Sequence, residues 1–167
     1  KLEAGRFEVD ADPIDTREVI EQCLKIVSAS ASKKSIRLIS DLAPTAIESD
    51  ARIMRQTVVN ILSNAIKFTP NGGKVSILSE QKVDRFVITI SDHGSGMSQE
   101  EIQIALEPFG QVRSSHIKAN VGTGLGLPIV DRFMRLIGGK LTIRSAPGYG
   151  TSVTLEFPCQ VDKQQQP

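Results

Sequence analysis

Residues 51–68 carry the strongest helical pattern in the chain, and this pattern constrains the fold most. Asp50 stands where its side chain would cap the N-terminus of the helix. The residues at 69–73, Thr-Pro-Asn-Gly-Gly, form a turn signal that ends the pattern. Apolar side chains fill most of one side of the predicted helix: Met54, Val58, Val59, Ile61, Leu62, Ala65 and Ile66. We therefore expect this side to be buried in the core of a folded domain.

The other side of this helix carries amides and a lysine. At about 100° per residue, the side chains of Gln56, Asn60, Asn64 and Lys67 fall within an arc of about 80°. Amides are poor helix formers, and the exposed face of a helix normally carries charged residues. The strip therefore indicates a binding site, with an ordinary solvated face as the alternative interpretation.

The composition fits one domain with an aliphatic core. The chain has 167 residues, 40% of them hydrophobic, and no Trp. A net charge of +1 is not the basic footprint typical of a nucleic-acid-binding protein. Cys23 and Cys159 show neither metal-ligand spacing nor a disulfide framework. The sequence has no apolar run of about 18 residues and no signal peptide, and its start at Lys1 suggests a piece of a longer protein.

The remaining pattern alternates between strands and helices. Three further helices are expected from capping and breaking residues. The first runs from Asp12-Pro13, or alternatively from an Asp15–Glu18 capping box, to Lys33-Lys34. A short second helix starts at a Ser98–Glu101 capping box, and the third runs from about Pro128 to Gly138-Gly139. Strands are expected at 6–9, 36–42, 46–48, 74–80, 85–91, 140–144 and 151–157. Residues 107–122 show no periodicity, and an irregular segment of this length is often a functional lid. This mixture predicts a two-layer α/β sandwich.

Glycines cluster at three places that could bring backbone close to a ligand. Gly94 and Gly96 follow Asp92 at a strand end. Gly122, Gly124 and Gly126 precede a helix, and Gly148 and Gly150 form a hairpin turn. Gly-rich backbone before a helix presents free N–H groups to phosphate. Taken singly, each cluster also fits a simple turn. The 122–126 run is GxGxG, which is neither a Rossmann GxGxxG nor a phosphate-binding P-loop, so a bound nucleotide would be held in another way.

Together these motifs resemble those of the catalytic ATP-binding domain of bacterial sensor histidine kinases, part of the gyrase, heat-shock 90, histidine kinase and MutL ATPase superfamily. Five motifs in the family's order carry the resemblance: Asn60…Asn64-Ala65-x-Lys67-Phe68, Asp92-x-Gly94-x-Gly96, Glu107-Pro108-Phe109, Gly122-Thr123-Gly124-Leu125-Gly126-Leu127 and Gly148-x-Gly150-Thr151. The resemblance implies a Bergerat-type two-layer sandwich, with a mixed sheet of about five strands covered by three helices and a mobile ATP lid. It divides the chain into a linker end (1–6), the catalytic domain (7–158) and a polar tail (159–167).

The resemblance also implies roles for individual residues. Asp92 would accept the adenine amine, Asn64 would ligate Mg²⁺, and Lys67 would contact phosphate. Phe68 would pack near the adenine, and Gly94 and Gly96 would let the base approach the chain. The lid residues Gly122, Thr123 and Gly124 would bring N–H groups to the phosphates. The implied ATP-binding set also includes Asn60, Leu125, Gly126 and Thr151.

Asn60 bears on the type of reaction. Hydrolytic relatives carry Glu at the matching position, and an amide cannot act as a general base at neutral pH. The resemblance therefore favours transfer of the phosphoryl group over hydrolysis, with Asn60, Lys67 and a lid cation as the catalytic set. The chain departs from the family at Leu106 in place of a Phe and at Gln111 in place of an Arg, and Phe68 stands where Tyr is frequent. Arg113 or Lys118 would replace the missing lid cation.

The implied function is a protein histidine kinase that uses Mg-ATP in two-component signalling. The phosphoacceptor histidine would lie on a separate helical dimerisation domain of the same protein, because His93 and His116 lack the family's acceptor motif. A response-regulator receiver domain would be the next partner, and neither nucleic acid nor direct membrane contact is expected of this cytoplasmic domain. The alternatives are a nucleotide-binding scaffold module without transfer activity and an anti-sigma-type serine kinase.

Overall fold

The fold is a mixed five-stranded sheet covered on one side by helices. The computed structural model describes residues 8–110 and 124–160. The helices of this part are α1 (Thr16–Lys33), α2 (Ala51–Phe68), α3 (Gln99–Leu106) and α4 (Gly126–Leu136). The strands are β1 (Asp12–Asp15), β2 (Arg37–Leu42), β3 (Ala46–Ser49), β4 (Lys74–Gln81), β5 (Arg85–Asp92), β6 (Lys140–Ala146) and β7 (Gly150–Pro158). The expected α/β sandwich with a mixed sheet is confirmed.

The main sheet has the strand order β2-β4-β5-β7-β6. β2 and β4 are parallel, because α2 lies in the connection between them, and the other neighbouring pairs are antiparallel. Alternate residues of the central strands face the helices and are buried: Val75, Ile77, Phe86, Ile88, Ile90, Val153, Leu155 and Phe157. The antiparallel pairing of β5 with β7 brings the end of β5 and the start of β7 to the same edge of the core, where the sequence predicts a site.

Residues of three helices pack in the hydrophobic core, which is the number of helices expected to cover the sheet. α1, α2 and α4 all contribute to it, whereas α3 contributes no residue to that cluster. Ile53, Met54, Val58 and Leu62 of α2 are all 0% exposed. Cys23 is a buried core residue, and burial raises the pKa of its thiol to about 11. None of the helices within the described ranges is long and apolar enough to span a bilayer.

The ends of α2 follow from local chemistry and lie where the sequence predicts them. The Asp50 side chain accepts hydrogen bonds from the backbone N–H groups of Arg52 (2.9 Å) and Ile53 (3.3 Å), which caps the N-terminus. The same carboxylate accepts from the backbone of Asp10 at 3.0 Å and from the Arg52 guanidinium. At the other end, Thr69 donates both its N–H and its hydroxyl to the Ala65 carbonyl.

Two predictions near the N-terminus are wrong. The described part of residues 6–9 is not a strand, and the helix does not begin at Asp12-Pro13. Residues 12–15 instead form β1, which pairs antiparallel with β3 in a separate two-stranded sheet. The alternative helix start is the right one, because the Asp15 side chain accepts from the N–H of Glu18 at 3.1 Å and α1 begins at Thr16. The Ser98–Glu101 capping box of α3 is also confirmed, with both of its hydrogen bonds formed.

Candidate functional site

Asp92 ends β5 in a cradle of backbone donors. Its Oδ1 accepts hydrogen bonds from the N–H of Gly94 at 2.7 Å and from the N–H of Thr151 at 3.2 Å. Among the described residues, no donor reaches its other oxygen, Oδ2, and no cation forms a salt bridge with it. The side chain therefore offers a fixed acceptor oxygen to a ligand.

The surroundings of Asp92 disfavour its charge. Burial raises the pKa of the carboxyl, and the hydrogen bonds from Gly94 and Thr151 and the nearby His93 only partly offset this effect. A carboxylate without a salt-bridge partner among the described residues is costly to bury, so such a group is more typical of a binding site than of a structural turn.

Glycines allow three segments to meet around Asp92. A Cβ atom built on Gly94 would lie 2.7 Å from the Phe68 carbonyl oxygen and 2.9 Å from Asp92 Oδ1. A Cβ atom on Gly150 would lie 2.1 Å from the Asp92 carbonyl oxygen. Any larger residue would separate the β5 end from the C-terminus of α2 or from the β6–β7 hairpin. Both glycines are therefore required by close packing.

The β6–β7 hairpin is fastened to the loop after β5. Ser145 Oγ accepts from the N–H of Met97 at 2.8 Å, and it hydrogen-bonds to the Gly150 carbonyl (2.8 Å) and the Thr151 hydroxyl (2.9 Å). Gly96 packs against the same hairpin, where a Cβ atom would lie 1.9 Å from the Ala146 carbonyl oxygen. These contacts fix the Thr151 N–H that Asp92 accepts.

The polar strip of α2 continues from this cradle. Lys67 Nζ lies 5.1 Å from the centroid of the Phe68 ring, and burial lowers the pKa of its ammonium group. Asn64 and Asn60 are half-buried one and two turns earlier, respectively. The Nδ2 group of Asn60 is buried and has no hydrogen-bond partner within the described part of the chain. An unpaired buried donor costs about 1–3 kcal/mol, and such groups are expected where a ligand completes the bonding.

The N-terminus of α4 lies over these amides. A Cβ atom built on Gly126, the first residue of α4, would lie 3.7 Å from Asn64 Nδ2 and 4.0 Å from Asn60 Oδ1. Leu125 is the N-cap residue and supplies no side-chain hydrogen bond, so the first N–H groups of the helix lack a side-chain cap. Uncapped N–H groups beside two amides suit an anion such as phosphate.

A comparison with protein families identifies this arrangement. The model of the histidine kinase-, DNA gyrase B- and HSP90-like ATPase family matches residues 49–161, which include α2, the Asp92 cradle and α4. The chain belongs to this ATPase family.

The curated relatives of this ATPase domain include proteins named as histidine kinases. A sensor-like histidine kinase of Rhizobium meliloti is 36% identical over 160 residues, which are 95% of this chain and 30% of the relative. The histidine protein kinase DivJ of Caulobacter vibrioides is 35% identical over 160 residues, with shares of 95% and 27%. The chain thus spans less than a third of the length of either relative.

A solved structure supports the same assignment. Full-length ShkA in complex with AMPPNP matches with a TM-score of 0.80 and 27% identity, over 97% of this chain and 34% of ShkA. Together with the family match and the named histidine kinase relatives, this likeness identifies the chain as a catalytic domain of the histidine kinase type, as the resemblance in sequence implies.

The structure brings together most of the predicted nucleotide site. One end is formed by Asp92, Gly94, Gly96, Thr151 and Phe68, and the other by Asn60, Asn64 and Gly126. Lys67 lies beside Phe68, between the two ends, and Leu125 is the N-cap residue next to Gly126. Gly124 packs against the short turn after α3, since a Cβ atom built on Gly124 would lie 2.9 Å from the Phe109 backbone. Other predicted residues fall outside the described part of the chain: Gln111, Arg113, His116, Lys118, Gly122 and Thr123. The roles of all these residues stay predictions.

Two features of the ATPase domain were not predicted. Ser145 was missed because a single Ser in a strand carries no local signal of its contacts. A cavity of about 450 Å³ adjoins Asp92 and is also lined by His93, Arg144 and Tyr149. It does not include the amides of α2, so the site is defined by the contacts around Asp92 and α2 rather than by this cavity.

The raised pKa of Asp92 predicts an effect of Asp92→Asn on stability. The ionised carboxylate disfavours the folded state at neutral pH, and this penalty disappears in acid, where the group is protonated in both the folded and unfolded states. Asp92→Asn should therefore raise the midpoint of thermal unfolding at neutral pH. The gain should shrink as the pH falls through the raised pKa of Asp92 toward the ordinary range of an aspartic acid, and it should be absent below that range. Thermal unfolding of ligand-free protein at several pH values measures this.

The control for this experiment is Asp41→Asn, which neutralises an exposed carboxylate on β2. A similar change in both variants, or a loss of stability in Asp92→Asn at neutral pH, would show that Asp92 does not carry the penalty.

Proposed function

We propose that the chain binds Mg-ATP and transfers the γ-phosphoryl group to a histidine on a separate helical dimerisation domain. The observation that carries this proposal is the partly buried carboxylate of Asp92. Two backbone N–H groups hold one of its oxygens, and the other oxygen has no donor among the described residues and can accept a ligand hydrogen bond. The exocyclic amine of adenine is a suitable donor for that oxygen. AMPPNP, an ATP analogue, is named in the complex of the similar protein ShkA.

The distance between the two ends of the site suits a nucleotide. Phe68 and Asn60 are eight residues apart on α2, which corresponds to about 12 Å along the helix axis. A base at the Asp92 end would therefore leave its phosphates beside Asn64, Asn60 and the start of α4. Lys67 lies between these positions and supplies positive charge.

The residues also fit a magnesium ion that is bound partly by phosphate. Among the described residues, no cluster of His, Cys, Asp and Glu could hold a metal by itself. Mg²⁺ accepts amide and phosphate oxygens as ligands and usually keeps several waters, so Asn64 is the candidate protein ligand. When bound, the ion would neutralise charge on the phosphates.

Asn60 favours transfer over hydrolysis. Its amide can donate a hydrogen bond through Nδ2, which has no partner in the described structure, but it cannot take a proton from water at neutral pH. The side chain would therefore orient a terminal phosphoryl group and leave the nucleophile to another domain. Because phosphoryl transfer depends mainly on positioning and charge neutralisation, no base is needed from this chain.

The expected partners follow from this reaction. The named relatives are much longer than this chain, so a phosphoacceptor domain of the same protein is the proposed substrate, and a response-regulator receiver domain is the proposed next acceptor. Since ATP and receiver domains are cytoplasmic, the domain would work in the cytoplasm. Arg113, Gly122 and Thr123 are proposed to act as lid residues in this reaction.

Asp92→Asn should weaken ATP binding by about 10- to 100-fold, because a hydrogen bond to a charged group contributes about 1.5–3 kcal/mol. Titration calorimetry with Mg-ATP measures the dissociation constant. Wild-type protein should prefer ATP to GTP, since guanine offers a carbonyl oxygen where adenine offers an amine. Asp41→Asn should bind as wild type does. Equal ATP binding by Asp92→Asn and wild type would remove Asp92 from the adenine site.

Incubation with labelled ATP and a helical histidine-containing domain tests the reaction type. We expect acid-labile phosphate on that domain, none when its histidine is replaced by Gln, and little ATP turnover by this chain alone. Acid-stable phosphate would instead support a serine kinase, and nucleotide binding without transfer would support a scaffold module. Fast hydrolysis by the purified chain would contradict the role given to Asn60.

A further inference from the structure

One lysine binds the last carbonyl groups of α2. Lys34 Nζ donates hydrogen bonds to the carbonyl oxygens of Ile66 at 2.8 Å, Lys67 at 2.8 Å and Thr69 at 2.6 Å. The ammonium group has three donors, and all three have an acceptor. This contact joins residues more than thirty positions apart in the chain. It is made at the turn of α2 that carries Lys67 and Phe68, which are predicted to contact phosphate and adenine.

The carbonyls at this end need such a donor. The last four carbonyls of a helix have no partner within it, and they form the negative end of the helix dipole. Thr69 satisfies the Ala65 carbonyl with its N–H and hydroxyl. The carbonyls of Ile66 and Lys67 are instead satisfied by Lys34, whose positive charge is favourable at this position.

Lys34 is itself held by its backbone. It is the C-cap residue of α1, and its N–H donates to the carbonyl of Ala31 at 3.1 Å. Its own carbonyl accepts from the N–H of Gly72 at 2.8 Å, in the turn that follows α2. Lys34 thus connects the end of α1 both to the last turn of α2 and to the segment that leads into β4.

The other side of the same turn contacts the Asp92 loop. The Phe68 carbonyl lies where a side chain on Gly94 would collide with it, so the loop after β5 packs directly on the end of α2. Lys67 and Phe68 therefore lie between Lys34 on one side and the Asp92–Gly94 loop on the other. Without Lys34, the last turn could fray, and their side chains would lose their fixed place beside Asp92.

We propose that Lys34 is a positioning residue of the nucleotide site, which fixes the last turn of α2 and thereby holds Lys67 and Phe68 in place for the nucleotide. This inference rests on the proposed function. Lys34 does not touch the nucleotide and acts only through the residues of that turn. Its chemistry suits this place, because an ammonium group on a long chain has three rotatable donors for three converging carbonyls.

The neighbouring lysine provides a matched control. Lys33 is exposed in the last turn of α1, and its side chain makes no hydrogen bond or salt bridge to any described residue. Lys33→Met removes the same charge and side chain as Lys34→Met. Val19→Ala, at the other end of α1, removes buried methyl groups and serves as a control for lost stability alone.

Mg-ATP affinity is measured by titration calorimetry, at a temperature where circular dichroism shows every variant folded. Lys34→Met should bind about tenfold more weakly than wild type, whereas Lys33→Met and Val19→Ala should bind within about twofold of it. In a double-mutant cycle, the losses of Mg-ATP binding free energy caused by Lys34→Met and Lys67→Met should be less than additive, because Lys34 acts in part through Lys67. A general loss of stability would not produce this coupling.

A second measurement needs no nucleotide. Amide hydrogen exchange at Phe68, Thr69 and Gly94 should be about tenfold or more faster in Lys34→Met than in Lys33→Met, since the end of α2 opens more often. Unchanged exchange, unchanged ATP affinity of Lys34→Met, or additivity in the cycle would each overturn the role of Lys34 while wild-type binding of ATP still supports the proposed function. Failure of wild type to bind Mg-ATP would overturn the proposed function and this inference together.

Discussion

The burial of one face of α2 is the interaction on which the rest of the structure depends. Four of its side chains, Ile53, Met54, Val58 and Leu62, are fully buried. Each contributes about 1.5–3 kcal/mol, so exposing all four would cost about 6–12 kcal/mol, which is comparable to the whole stability of a domain. The helix therefore cannot rotate, and its amides and Lys67 are held in one direction. The core thus sets the orientation of the proposed phosphate site.

The proposed adenine end places different demands on the fold. Asp92 forms no salt bridge with any described residue, and burial raises its pKa, so its charge weakens the ligand-free fold at neutral pH. Backbone donors from Gly94 and Thr151 partly offset this cost, and close packing at Gly150 keeps those donors in place. Stability is therefore given up at the point where the proposed ligand is recognised, while α2 supplies the rigid support.

The sequence predicts those parts of the molecule that depend on residues close to one another along the chain. α2 begins after Asp50 and ends at Phe68 as expected, because a cap, an apolar period and a turn signal all act within a few positions. β1 was missed because it is stabilised by pairing with β3, more than thirty residues away. The contacts of Ser145 and Lys34 are non-local in the same way. The predicted site residues could be named in advance because motifs record them, whereas the residues that support them leave no motif.

The central claim is that Asp92 and the amides of α2 hold opposite ends of one nucleotide. The most direct test compares adenosine with Mg-ATP by nuclear magnetic resonance on labelled protein. Adenosine should shift the backbone amide signals of Gly94 and Thr151 and leave the side-chain amides of Asn60 and Asn64 unchanged, whereas Mg-ATP should shift both sets. If Mg-ATP left the side-chain signals of Asn60 and Asn64 unchanged, or if adenosine moved them as much as Mg-ATP does, the claim would be contradicted.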